Sequence, residues 1–200
     1  LNKLDDTDKL KHVPLPVNNI TNKAIYIMND PLLACLSHYR RNWPKIQMEK
    51  LGNHKYKDYS LETLLIETEK QNKDIFGIEN QFNNFLNSNV NYPIMFIYFN
   101  NIPKNKKKIC EFLNINPDTF NKFELKKKNS KKDNISPKIL EIYNKLNNRF
   151  IEYDMYINEK NSNKMERFLL INNKNFFDKN NIITINKVED IPNLNSILFI

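Results

Sequence analysis

The chain has 200 residues, a net charge of +8 and a pI near 9.3. Its 40% hydrophobic and 12% aromatic content is typical of a folded globular chain and excludes an intrinsically disordered one. The positive charge favours an anionic partner, although lysines that only keep a surface soluble would give the same balance.

The first predicted elements are a loop, a strand and a helix. Residues 1–22 are polar and contain two prolines, as in a loop, whereas residues 24–28 form the continuous apolar run of a buried parallel strand. Asp30 is placed to cap a helix and Pro31 to occupy its first turn. We therefore expect a strand that leads directly into a helix N-terminus, where free N–H groups favour an anion.

The next part of the chain is predicted to be helical. Residues 44–75 are interpreted as a lid-like excursion with a helix near residues 60–70, and a further helix is expected at about 77–88. The two cysteines, Cys35 and Cys110, lie in apolar helical patterns without metal-ligand spacing. Both are expected to be reduced and buried.

A second strand and its helix follow. Residues 94–98 form another buried-strand run, residues 100–103 have turn composition, and residues 104–113 are amphipathic with lysines on the outer face. Strands that alternate with helices predict an α/β fold with a parallel sheet. Ligands of such sheets bind at the carboxyl ends of the strands, which makes residues 29–37 the expected functional edge.

The C-terminal part is predicted to hold a basic loop, a helix and a separate tail. Lysines dominate residues 126–132, and Ser136 and Pro137 then begin a helix that extends to about Tyr153. Residues 158–164 have linker composition, and short apolar runs after them predict a β-rich tail.

These patterns divide the chain into three parts. We expect one α/β domain over residues 1–157, a linker over 158–164, and an unassigned tail or the start of another module over 165–200. The chain begins without Met and stops inside an apolar run, so both ends are expected to be cut.

The segment around Ser37 resembles the sulfotransferase family. That family has a strand ending in Arg-Asn-Pro or Arg-Asp-Pro, followed by a helix with a Ser eight residues after the Arg. Residues 26–39 are similar to this motif, with Ser37 at the matching offset and Asn29 at the position of the Arg.

Three later segments extend the resemblance to about residues 9–155. Residues 92–98 resemble the family's later strand, and residues 109–115 (Ile-Cys-Glu-Phe-Leu-Asn-Ile) resemble the helix after it. Residues 135–150 are similar to the C-terminal helix that follows a basic loop in bacterial and glycan-modifying members.

The resemblance implies a three-layer parallel sheet with flanking helices, of the P-loop NTPase-like kind. It implies 3′-phosphoadenosine 5′-phosphosulfate as co-substrate, no metal, and sulfuryl transfer to a hydroxyl or amine, on a glycan or a small molecule. By position, the residues that would contact the donor's 3′-phosphate or supply charge near it are Ser37, Asn29, Arg40, Arg41, Lys126, Lys127 and Lys128.

His12 is a candidate general base. Lys11-His12 resembles a Lys-x-His segment of the cytosolic sulfotransferases, in which the His accepts the acceptor's proton, and an imidazole suits that transfer near pH 7. A loop histidine without a role is the simpler interpretation, since the spacing to Asn29 is shorter than in the family.

The sequence departs from the family at three places. Asn29 removes a cation, residues 98–100 are Tyr-Phe-Asn instead of Tyr-Glu-Asp, and no Lys-x-Gly-x-Thr phosphate loop is present. Three hypotheses stay open: a sulfotransferase whose phosphate loop lies elsewhere in the complete protein, a degenerate binding module of the same family, and a basic nucleic-acid-binding α/β protein. The third is disfavoured because the lysines are dispersed and no nucleic-acid motif is present.

Cellular location is left open by the sequence. No apolar run approaches the roughly 20 residues of a membrane span, and no signal peptide is visible. A cytoplasmic location and a Golgi-type lumen are both compatible with these residues.

Overall fold

A computed structural model describes residues 13–16, 23–120, 132 and 135–158. These residues form an α/β structure of six helices and three strands. In chain order they are β1 (Ala24–Met28), α1 (Pro31–Arg40), α2 (Pro44–Lys50), α3 (Leu61–Gln71), α4 (Ile78–Leu86), β2 (Ile94–Tyr98), α5 (Ile102–Leu113), α6 (Pro137–Glu152) and β3 (Ile157–Asn158).

The sheet is built on the two strands that the apolar runs predict. β1 and β2 pair in parallel, from Ala24 opposite Ile94 to Met28 opposite Tyr98, and every residue of both strands is buried. Continuous apolar runs bury both faces of a strand, so helices must cover the sheet on both sides. The predicted bounds of both strands are confirmed.

Helices do pack on both faces of the sheet. The even-numbered residues, among them Tyr26 and Phe96, pack against Phe82 of α4 and Phe150 of α6. The odd-numbered residues 25, 27, 95 and 97 pack against α5. Side chains alternate between the faces of a strand, and this alternation separates the core into two layers.

The third strand corrects the expectation of a purely parallel sheet. In the described residues the strand order is β1-β2-β3, and β3 pairs with β2 antiparallel through Ile157 opposite Met95. The chain leaves α6 beside the carboxyl end of β2, where the Asp154 carboxylate accepts a hydrogen bond from the Tyr98 N–H. A parallel strand would need a further crossover to the opposite edge, so the chain runs back antiparallel.

The helix predictions are confirmed in kind, with two differences. Residues 44–75 hold two helices instead of one, because Pro44 can begin α2 at a position where its missing N–H has no cost. The predicted turn at 100–103 is a 3₁₀ turn over Phe99–Asn101 that leads directly into α5, whose first turn accommodates Pro103.

Asp74 fixes the loop before α4 against α6. Its buried carboxylate accepts hydrogen bonds from the backbone N–H groups of Phe76, Gly77 and Glu79 and from the Tyr143 hydroxyl, at 2.9–3.2 Å. Burial raises the pKa of Asp74, and these donors oppose that shift by stabilising the ionised form. The network places the Phe76 ring against α1.

Two further predictions concern the cysteines and the tail. Cys35 and Cys110 are free and buried, as expected. Asn158, the first residue of the linker predicted over 158–164, belongs to β3 and is buried. The rest of that linker and the tail predicted over 165–200 lie outside the described residues. None of the helices described here is long and apolar enough to cross a membrane.

Candidate functional site

The first turn of α1 is capped by its own chain. The Asp30 side chain accepts a hydrogen bond from the Leu33 N–H at 3.0 Å, and the Asp30 carbonyl accepts one from the Ala34 N–H. Pro31 has no N–H to offer. The expectation that the first N–H groups are free for an anion is therefore wrong for Leu33 and Ala34, and the N-terminus of α1 has little left for a ligand.

Lys132 reaches this same end of α1. Its ammonium lies 2.7 Å from the Asp30 carboxylate, and the two side chains are only 30% and 19% exposed. Lys132 is the last lysine of the basic segment 126–132, so the end of that segment lies at the carboxyl edge of the sheet. Lys126, Lys127 and Lys128 lie outside the described residues.

Asn29 also forms a hydrogen bond within the turn that joins β1 to α1. It is exposed, and its side-chain oxygen accepts a hydrogen bond from the Asp30 N–H at 2.8 Å. Eight residues separate it from Ser37, which corresponds to about 12 Å along a helix axis. A carboxamide is too short to span that distance, so the structure does not bring Asn29 and Ser37 together.

Ser37, Arg40 and Arg41 do share one face of α1. Their spacing of three and four residues places them side by side at the C-terminal half of the helix. Ser37 is half-buried and both arginines are exposed. Within the described ranges, neither arginine forms an ion pair with an acidic side chain. Besides complementing the negative end of the helix dipole, the two guanidinium groups are available to an anion.

At the carboxyl end of β2, polar side chains form hydrogen bonds that the sequence did not indicate. Asp154 accepts hydrogen bonds from the Tyr98 N–H at 2.8 Å and from the Asn101 side chain at 2.7 Å. The Tyr98 hydroxyl donates to Asn147 of α6 at 2.9 Å, and burial together with the nearby Asp30 carboxylate raises the Tyr98 pKa. Asp154 lies 56 residues from Tyr98, so no local spacing could have revealed this contact.

His38 follows Ser37 on α1 and lies within the residues that the structure describes. Its ring stacks on Phe76 with 5.8 Å between the ring centres. Burial and the positive charges of Arg41 and Lys50 lower the His38 pKa, which favours the neutral ring. His12, the predicted general base, lies outside the described residues.

Among the described residues, no three or more His, Cys, Asp or Glu side chains lie together in a group that could hold a metal ion. The edge carries hydroxyl, amide and cationic side chains, among them Ser37, Asn29 and Arg40. Such groups bind phosphate and sulfate oxygens through charge-assisted hydrogen bonds.

Comparisons with known proteins return no relative. No family model matches the chain, no curated protein sequence matches it significantly, and no solved structure matches its fold significantly.

Proposed function

We propose that this chain is a sulfotransferase-like domain with a P-loop-like fold. It binds 3′-phosphoadenosine 5′-phosphosulfate and transfers the sulfuryl group to a hydroxyl or amine of a glycan or small molecule. The strand–turn–helix of β1 and α1 supports the proposal, because its sequence resembles the family's motif, in which a serine at the offset of Ser37 binds the 3′-phosphate.

The observation that carries the proposal is the face of α1 formed by Ser37, Arg40 and Arg41. A 3′-phosphate is close to a dianion at neutral pH and offers three acceptor oxygens. A guanidinium can hold two of those oxygens at once, and a serine hydroxyl can donate to the third. The Asn29 position, which holds an Arg in the family, adds no charge here.

Lys132 brings positive charge to the N-terminal end of the same helix. Its contact with Asp30 brings the end of the basic segment 126–132 to the edge from which α1 starts. Under the proposal three further lysines of that segment, Lys126, Lys127 and Lys128, add positive charge around the bound donor. A lysine ammonium contributes there as a point charge instead of a bidentate clamp.

The chemical step needs groups on the 5′ side of the donor. A bond forms between the acceptor oxygen or nitrogen and sulfur while the bond between sulfur and the 5′-phosphate oxygen breaks, and the acceptor's proton passes to a base, for which His12 is the candidate. Charge develops on the departing phosphate oxygen and must be stabilised. The sequence contains no Lys-x-Gly-x-Thr segment. The charge on the departing oxygen must therefore be stabilised by groups other than the residues of this candidate site.

A second candidate is a binding module of the same family without catalysis. The observation that favours it is Asn29, whose side chain bonds the adjacent Asp30 N–H instead of contributing a cation. This candidate binds the nucleotide but releases no sulfate and modifies no acceptor.

The test is a calorimetric comparison of two nucleotides. We expect 3′-phosphoadenosine 5′-phosphate to bind at least tenfold more tightly than adenosine 5′-phosphate, since hydrogen bonds to a charged phosphate contribute about 1.5–3 kcal/mol. Ser37→Ala should remove most of that preference, and Ser37→Thr, which keeps the hydroxyl, should retain it.

Equal affinity for the two nucleotides would contradict the proposal. Salt-sensitive binding of duplex DNA without any response to either nucleotide would favour a nucleic-acid-binding protein instead. Tight nucleotide binding without transfer from the sulfate donor to any acceptor would favour the non-catalytic module.

A further inference from the structure

A cavity of about 80 Å³ lies beside the carboxyl end of β1. Its described walls come from β1, from α1, from α2 and from the loop and helix that follow Asp74. Asn29 belongs to this wall, so the cavity adjoins the edge at which α/β sheets bind their ligands.

Two polar side chains in the wall have no hydrogen-bond partner. The His38 Nδ1 atom is buried and unpaired in the structure. Gln47 is only 7% exposed, and its carboxamide forms no hydrogen bond with the described residues, so it remains available to a ligand. Buried polar atoms are paired in the great majority of cases, so the unpaired His38 Nδ1 beside this cavity calls for an explanation.

Gln81 is a third polar residue in the same wall, and unlike His38 it is paired. Gln81, which is 1% exposed, accepts a hydrogen bond from the Tyr26 hydroxyl and donates one to the Val13 carbonyl at 2.7 Å. Its hydrogen-bonding capacity is used within the fold. The unpaired His38 Nδ1 atom is therefore unusual in this wall, and the pairing of Gln81 shows that nearby polar groups do find partners when the fold supplies them.

The wall is otherwise apolar and carries no formal charge. None of the described lining residues is Lys, Arg, Asp or Glu, and most are apolar, with Leu51, Phe76 and Phe150 among them. With its lowered pKa the His38 ring is neutral near pH 7, so one nitrogen donates and the other accepts. Such a wall disfavours an ion and favours an uncharged group that both donates and accepts hydrogen bonds.

The size of the cavity limits what enters it. An apolar cavity of about 150 Å³ holds one benzene molecule, and this one has about half that volume. It can accept an end group but not a whole ring. Hydroxyl and primary amide groups satisfy both the size and the hydrogen-bonding requirement.

We propose that this cavity binds the hydroxyl- or amide-bearing end of a small uncharged ligand, held between the His38 ring and the Gln47 carboxamide. The described wall does not include Ser37, Arg40 or Arg41, which carry the proposed phosphate site, although the two sites share Asn29. The two are tested independently, and either can stand without the other.

The test uses acetamide and propan-2-ol as neutral probes and acetate as a charged probe of similar size. In nuclear magnetic resonance titrations of the full chain, we expect both neutral probes to shift the His38 ring and Gln47 side-chain signals saturably. Acetate should bind at least fivefold more weakly. This comparison is made on the unaltered chain and needs no variant to fold.

The variants locate the site. Gln47→Leu should weaken acetamide binding at least fivefold, whereas Gln71→Leu, a matched change on α3 away from the cavity, should leave it within twofold. The proposal is overturned if neither neutral probe gives a saturable shift, which is the result expected of a cavity that holds water only. It is also overturned if acetate binds as tightly as acetamide, or if the two variants behave alike.

Discussion

The carboxyl ends of the two parallel strands are built differently. At the end of β2, the Asp154 carboxylate is used twice within the fold, by the Tyr98 N–H and the Asn101 side chain. At the end of β1, Asp30 caps α1 and pairs with Lys132, while Arg40 and Arg41 farther along α1 form no ion pair within the described residues. The hydrogen bonds after β2 therefore stabilise the fold. The helix after β1 instead carries two arginines that no acidic side chain among the described residues neutralises.

The largest expected effect separates these two roles. Asp154→Ala removes two hydrogen bonds to a carboxylate, and we expect a loss of about 3 kcal/mol in the free energy of unfolding, measured by urea denaturation. The affinity for 3′-phosphoadenosine 5′-phosphate should stay within twofold.

The matched control is the exposed neighbour Glu152, for which Glu152→Ala should change stability by less than about 0.5 kcal/mol. If Asp154→Ala lost more nucleotide affinity than its fraction of unfolded protein accounts for, the end of β2 would belong to the ligand site. That result would contradict the comparison.

A second prediction adds the missing charge at the end of β1. Asn29→Arg places a guanidinium where the family has one, and we expect it to raise the affinity for 3′-phosphoadenosine 5′-phosphate about tenfold to a hundredfold. Asn100→Arg is the matched control, since Asn100 is equally exposed at the end of β2 and the net charge changes equally. Isothermal titration calorimetry checks both. An equal gain in the two variants would mean that only net charge matters.

A third prediction concerns the arginines of α1. The double variant Arg40→Ala/Arg41→Ala should lower the affinity for the same nucleotide about tenfold and reduce the dependence of binding on salt. Lys104→Ala/Lys108→Ala removes two exposed positive charges from α5 and should change the affinity by less than twofold. If both double variants lose affinity alike, the face of α1 has no special role.

The smallest expected effect is the contribution of His38 to the pH dependence of the free energy of unfolding. Its pKa is lowered in the folded chain, so the unfolded chain binds the proton more readily as the pH falls below about 6.5. His38 therefore stabilises the fold fully above that pH, and its contribution is lost as the pH falls through the folded pKa. The loss should stay below about 1 kcal/mol, because the ring is partly exposed.

Urea denaturation at pH 7.5 and pH 5.0 measures this difference. His38→Phe keeps a ring beside Phe76 and should lose part of the pH dependence, whereas His54→Phe, at an exposed histidine, should retain it. An unchanged pH dependence in His38→Phe would contradict the account, because it would mean that the pKa of His38 does not differ between the folded and the unfolded chain.

The elements of this fold were predictable where the signal is local. The apolar runs gave the bounds of β1 and β2, and Ser136 caps α6 by accepting a hydrogen bond from the Ile139 N–H, as its position before Pro137 predicts. The Asp30 cap of α1 was likewise visible in the sequence. Each of these signals depends on residues within about four positions of one another.

Contacts between distant segments were not predictable. Lys132 lies 102 residues from Asp30, and Tyr143 lies 69 residues from Asp74, with no periodicity to connect them. The direction of β3 also depends on where α6 ends in space. The sequence predicted an anion site at α1, but it did not reveal that the Leu33 and Ala34 N–H groups of this helix are already hydrogen-bonded.

The central claim is that the helix after β1 holds the 3′-phosphate of a nucleotide. Phosphorus-31 magnetic resonance of 3′-phosphoadenosine 5′-phosphate tests it directly, because its two phosphates give separate signals. The account predicts that the protein shifts the 3′-phosphate signal more than the 5′-phosphate signal, and that Ser37→Ala removes this difference. A shift confined to the 5′-phosphate, or equal shifts that Ser37→Ala leaves unchanged, would contradict it.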